Sequence, residues 1–316
     1  MEIKVNRKAA VKKLKSLVLT PKSEVESFRT KIEKNFDSVF LPNKVENTER
    51  TFGDVKCDYL TPEVYVSHRI LLYIHGGSFV GGSRESWRSF CSSIANETMS
   101  RVIVPDFRLP PSHPYPAALE DVQNVFRLIK GEEELSIQLS QDKNALPQII
   151  LAADTSGASI LMALMFSLSE NLRKSVDKIF LFSPWLDLGS DNSVISRKKM
   201  HDEVISSSDL RFAVDLYTYS SNVKSIFISP LKASAKEFSC FPEFYIQSGE
   251  KEILLSQAYD FKNLLESAGI KCTLDVFPKM MYMFQMADEF LPQSHSAIEN
   301  IGKWINLKPR DDIKNP

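Results

Sequence analysis

Six short apolar runs recur along the chain: RILLYIH (69 to 75), RVIVPDF (101 to 107), PQIILAA (147 to 153), DKIFLFSP (177 to 184), PEFYIQSG (242 to 249) and CTLDVFP (272 to 278). A strand that is apolar on successive residues is buried on both faces, which requires a mostly parallel sheet covered by helices. The spacing of apolar residues predicts those helices over 84 to 98, 117 to 131, 157 to 170, 206 to 220, 255 to 268 and 294 to 306. The fold class is therefore α/β, a doubly wound mostly parallel sheet with helices on both faces. FGDVKCDYL (52 to 60) alternates in polarity and reads as an antiparallel edge hairpin with the next strand along the chain.

Two segments break this rhythm. Residues 1 to 45 are charged and helix-prone and are expected to form an N-terminal helical lid. Residues 186 to 225 combine Ser, Asp and Asn with one helix and supply no strand, as a cap inserted into the sheet domain would. The expected organisation is thus a lid at 1 to 45, a sheet domain at 46 to 308 and a tail at 309 to 316. With 39 basic and 40 acidic residues the net charge is −1, so no field gathers nucleic acid or anionic lipid. No run of 18 apolar residues and no signal-like leader is present, which predicts a cytoplasmic protein without a membrane span. Cys57, Cys91, Cys240 and Cys272 lie far apart without a C-x-x-C, so neither a metal nor a disulfide framework is expected, and nothing calls for a cofactor. The formal glycosylation acceptor at Asn96 falls inside a predicted helix and is discounted.

YIHGGSFVGGS (73 to 83) follows the end of a buried strand, where α/β folds bind ligands. Its glycines free backbone amides to converge on an oxygen. A phosphate loop would need a lysine where Gly82 stands, so an oxyanion is the better occupant, held by the amides of Gly76 and Gly77. LAADTSGAS (151 to 159) then closes a strand and opens a helix, the setting of a nucleophile elbow, with Thr155 at the centre of Ala153-Asp154-Thr155-Ser156-Gly157.

Together with DFRLPPSHPYPAALEDV (106 to 122), FSPWLDL (182 to 188) and SPL (229 to 231), these stretches resemble the hormone-sensitive-lipase branch of the α/β-hydrolases. Esterases of that branch carry an H-G-G-G oxyanion motif, a D-Y-R-L-A-P-E-H-P-F-P-A-A segment and a G-D-S-A-G-G elbow. The resemblance covers residues 50 to 306 and implies the α/β-hydrolase fold with a helical cap. It places the nucleophile on Thr155, the acid on Glu252 in SGEKEILL, the histidine on Tyr282 in KMMYMF, and a third oxyanion amide on Ser156. His75, Phe79, Trp185, Met281 and Met283 are the candidates to line the ester pocket.

Two of the three triad positions are altered. Tyrosine, with a reference pKa of ~10, does not accept a proton near neutral pH as imidazole does. Threonine is β-branched at a turn whose backbone is strained, and its methyl crowds an incoming carbonyl. The other histidines (His68, His113, His201, His295) are read as structural or surface residues. The expectation is a catalytically impaired homologue that binds a small apolar or amphipathic ligand, or a protein partner, in the former ester pocket. The competing expectation is a weak carboxylesterase using Thr155 or Ser156.

Overall fold

The computed structural model describes residues 5–37, 44–140, 147–189 and 202–306. Eight strands form one sheet in the order β1-β2-β4-β3-β5-β6-β7-β8. They are β1 (Val45–Phe52), β2 (Val55–Pro62), β3 (Arg69–Ile74), β4 (Arg101–Pro105), β5 (Gln148–Asp154), β6 (Val176–Phe182), β7 (Glu243–Gly249) and β8 (Cys272–Phe277). From β4 to β8 the neighbours run parallel. The six apolar runs are the six parallel strands, and all of β3 is buried, as two covered faces require.

The antiparallel edge differs from the sequence reading in its partners. Strand β2 pairs backwards with β1 and on its other side with β4, not with β3, the next strand along the chain. Strand β1, VENTERTF, is polar and exposed along most of its length, so it carries almost no periodic apolar signal.

Among the described residues the α-helices are α1 (Arg7–Leu14), α2 (Val25–Phe36), α3 (Arg84–Thr98), α4 (Ala117–Leu139), α5 (Thr155–Ser167), α6 (Glu170–Arg173), α7 (Ser207–Tyr217), α8 (Leu255–Ser267) and α9 (Pro292–Asn306). Helix α5 is buried from Thr155 to Phe166, and its sequence is apolar all round accordingly. It passes so close beneath the end of β3 that a Cβ on Gly157 would meet the carbonyl oxygen of Ile74 at 2.2 Å. Helix α3 starts on a capping box, with Ser83 and Ser86 exchanging side-chain and backbone hydrogen bonds.

Helix α2 and the segment joining it to α1 lie on the glycine turn after β3. The Ser78 hydroxyl donates to the Leu17 carbonyl (3.3 Å) and accepts from the Leu19 amide (3.2 Å). Arg29 donates to the carbonyls of Val80 (2.9 Å) and Pro110 (2.8 Å), and Ser83 donates to Glu33 (2.9 Å). The part of the cap segment at 190 to 201, which includes His201, lies outside the described residues. Among the described residues no helix is long and apolar enough to cross a membrane.

Candidate functional site

The order β4-β3-β5 reverses the direction of sheet growth, and the loops after β3 and β5 meet at that reversal. Thr155 stands there with φ 47°, in the left-handed region that a β-branched residue enters only under constraint. Ser78, Phe79, Ser183 and Met283 share that region at φ 55°, 65°, 44° and 53°. Non-glycine residues held this way cost about 1–3 kcal/mol each and cluster where geometry serves a site.

The Thr155 hydroxyl donates to Oδ2 of Asp154 (3.1 Å), and the Tyr282 side chain lies beside it. The structure thus brings Thr155 and Tyr282 together, both almost fully buried. Burial pushes the Tyr282 phenol well above its usual range, so it stays protonated.

Glu252 sits behind them without a hydrogen bond to Tyr282. Its Oε1 accepts from the Ser183 hydroxyl (2.7 Å) and the Gly249 amide (2.7 Å), whereas its Oε2 has no partner. Complete burial raises its pKa well above the carboxylate range. Ser183 also accepts from the Met283 amide (3.3 Å), which fixes the segment carrying Tyr282 against β6.

Asp154 is the residue the sequence reading missed. Its Oδ1 accepts from the Tyr73 hydroxyl (2.9 Å), the Gly76 amide (3.0 Å) and the Trp87 indole (2.8 Å). An aspartate closing an otherwise apolar strand beside the elbow was the available signal. This network corrects one expectation: the Gly76 amide is already committed to Asp154 and does not point free into an oxyanion site. Among the described residues nothing accepts from the amides of Gly77 or Ser78, and Ser156 lies in the first turn of α5, where amides have no helical partner. The Ser156 hydroxyl itself accepts from the Phe79 amide (3.0 Å).

The expected pocket lining is packed. Phe79 stacks on Tyr217 at 3.9 Å between ring centroids and lies 5.2 Å from Trp185. Met281 and Met283 are fully buried. His75 is not a lining residue: its ring stacks on Phe107 (4.3 Å) and packs against Trp87 (5.1 Å). The exposed His113 and His295, like His68 beside Glu133, stand elsewhere, and no described histidine hydrogen-bonds to Thr155. Among the described residues no cluster of three or more His, Cys, Asp or Glu is placed to hold a metal ion.

Asp154 and His75 titrate in opposite senses. Burial raises Asp154 to about 6, so its contribution to stability is full below its ordinary 3.8 and is lost as pH rises through 6. Burial lowers His75 to about 4, so its contribution is full above its ordinary 6.5 and is lost as pH falls through 4. Replacing Asp154 by asparagine removes the descending contribution and leaves that of His75. Relative to the unaltered chain, the Asp154→Asn variant should gain up to ~3 kcal/mol between pH 4 and 6, read from melting curves across that window. Parallel stability profiles for the two proteins would show that Asp154 does not titrate there.

A family model described as the alpha/beta hydrolase fold matches residues 71–286. The chain is 26% identical over 265 residues to an acetyl-hydrolase of Streptomyces hygroscopicus, covering 84% of each protein. It is 28% identical over 237 residues to an esterase of Acinetobacter venetianus, covering 75% of this chain and 74% of that one. Among solved structures, an esterase of the bacterial hormone-sensitive-lipase family superimposes with a TM-score of 0.81 at 23% identity, over 94% of this chain and 96% of that one. A hormone-sensitive lipase from a metagenome library superimposes with a TM-score of 0.79 at 25% identity, over 96% of this chain and 98% of that one.

Proposed function

The chain belongs to the α/β-hydrolase-fold family, and on that premise we propose that its esterase-type site is catalytically silenced and holds a small apolar or amphipathic molecule instead of cleaving an ester. The observation that carries this reading is that the residue beside the Thr155 hydroxyl is Tyr282, a buried phenol that stays protonated. A triad needs a base that draws the proton off the nucleophile and later returns it to the leaving group. Here the residue beside Oγ1 is a phenol whose pKa burial raises, so it does not take up that proton near neutral pH. The unpartnered Oε2 of Glu252 fits the same reading, since a histidine in place of Tyr282 would offer it an N–H.

The rings of Phe79, Trp185 and Tyr217 beside Thr155 supply an apolar wall for the occupant, which must displace part of that stack to enter. Purified protein is expected to leave short-chain p-nitrophenyl esters at background rates, while an apolar ligand that enters the site raises the melting temperature by binding only the native state. Turnover that vanishes in Thr155→Ala would overturn this.

A second reading rests on Asp154. Its Oδ2 lies 3.1 Å from Oγ1 of Thr155, and a carboxyl near 6 is suited to accept a proton at neutral pH. On that reading the protein is a weak carboxylesterase, and Asp154→Asn abolishes its turnover in a folded chain.

A further inference from the structure

A cavity of about 510 Å³ opens in the seam between the N-terminal helices, α3 and the segment that leads from Tyr282 into α9. It contains none of Thr155, Tyr282 or Glu252 among its lining residues, so it is separate from the ester site. Its volume lies in the range that holds a small organic molecule, roughly 300–1,000 Å³.

Two independent features say what it takes. The first is Gln285, which lines the cavity, is 1% exposed and has no hydrogen-bond partner for either Oε1 or Nε2. Buried amides are otherwise paired, because leaving one unpaired costs ~1–3 kcal/mol. A planar amide offers an acceptor and a donor side by side, and a primary amide on a ligand matches both at once.

The second feature is charge. Asp37, Glu97, Asp288, Glu289 and Glu299 line the cavity against Lys13 alone among lysines and arginines. Lys13 is already held by Glu289 at 3.0 Å and lies 5.0 Å over the Phe36 ring. Among the described residues no three or more of these carboxylates converge as metal ligands do, so the excess of negative charge suits an organic cation spread across the rim.

We propose that this seam binds a small organic cation bearing a primary amide, with Gln285 pairing to the amide and the carboxylate rim holding the ammonium group. The walls come from α1 and α2 on one side, through Lys13 and Phe36, and from Gln285 and Met286 on the other. Occupation of the seam therefore joins the N-terminal helices to the segment that carries Tyr282.

The test is calorimetric titration of the full chain with lysinamide, with 1,5-diaminopentane as a cation lacking the amide and propionamide as an amide lacking the cation. Lysinamide should bind saturably at one site per chain, and each comparator at least about tenfold more weakly. Gln285→Leu should weaken lysinamide by about tenfold while raising the melting temperature of the ligand-free protein, because it removes an unpaired buried amide. The exposed pair Glu289→Gln and Glu299→Gln carries the same expectation of at least about tenfold loss, without touching the core, should the leucine variant fail to fold. Absence of saturable binding to the unaltered chain overturns the proposal, as does undiminished binding in the foldable variants or diaminopentane binding as tightly as lysinamide.

Discussion

The chain carrying Thr155→Ser together with Tyr282→His should hydrolyse short-chain p-nitrophenyl esters at least ~10²-fold faster than the unaltered chain, the lower end of what a positioned general base supplies. Serine relieves both constraints at the elbow, since it lacks the methyl that crowds an incoming carbonyl and sits more readily at φ 47°. Histidine replaces a phenol that stays protonated by a proton acceptor beside Oγ1. It also offers an N–H to the unpartnered Oε2 of Glu252, which would lower the pKa of that buried carboxyl and let it orient the ring. The amides of Gly77 and Ser78 remain to receive an oxyanion. Each single change should do far less than the pair, because nucleophile and base act as one unit. Initial rates on the purified, folded double variant decide the matter. No gain would show that the ester site does not lie at Thr155 or that the packed rings never admit a substrate.

Asp154→Ala should destabilise the protein by about 3–5 kcal/mol, measured as a shift in urea midpoint at unchanged slope. Three buried donors, from Tyr73, Gly76 and Trp87, converge on one carboxylate oxygen. Removing the acceptor strands all three, and each stranded donor costs ~1–3 kcal/mol, with less than full additivity because they share one partner. Asp154→Asn keeps an oxygen in place for those donors and should fold nearly as well at pH 4, where Asp154 is itself mostly neutral, which separates the hydrogen-bond effect from that of charge. An alanine variant within ~0.5 kcal/mol of the unaltered chain would mean that the turn relaxes to satisfy its own amides, the ordinary range for a residue outside such a network.

Sheet and helices were legible in the sequence because strands buried on both faces and amphipathic helices carry strong periodic signals. The pairing of β2 was not, because β1 is a polar edge whose hydrogen bonds, rather than its side chains, hold it. Thr155 and Tyr282 stood in quotable motifs, and the structure places them side by side. What the motifs did not disclose is how the backbone of the turn is used. Motif position alone made Gly76 an oxyanion donor, yet its N–H direction is set by Asp154, a residue 78 positions further along the chain. The stacking of Phe79 on Tyr217 depends likewise on where the end of α7 meets the loop after β3, which no local pattern encodes.

The clasp that Ser78 makes with Leu17 and Leu19 has a kinetic consequence. Since α2 and the segment before it rest on the same turn that borders Thr155, the proposed occupant of that site reaches it only when they lift or when the rings beside Thr155 part. Association is then gated: its observed rate climbs with ligand concentration only until it meets the opening rate of the clasp, after which adding ligand no longer speeds entry.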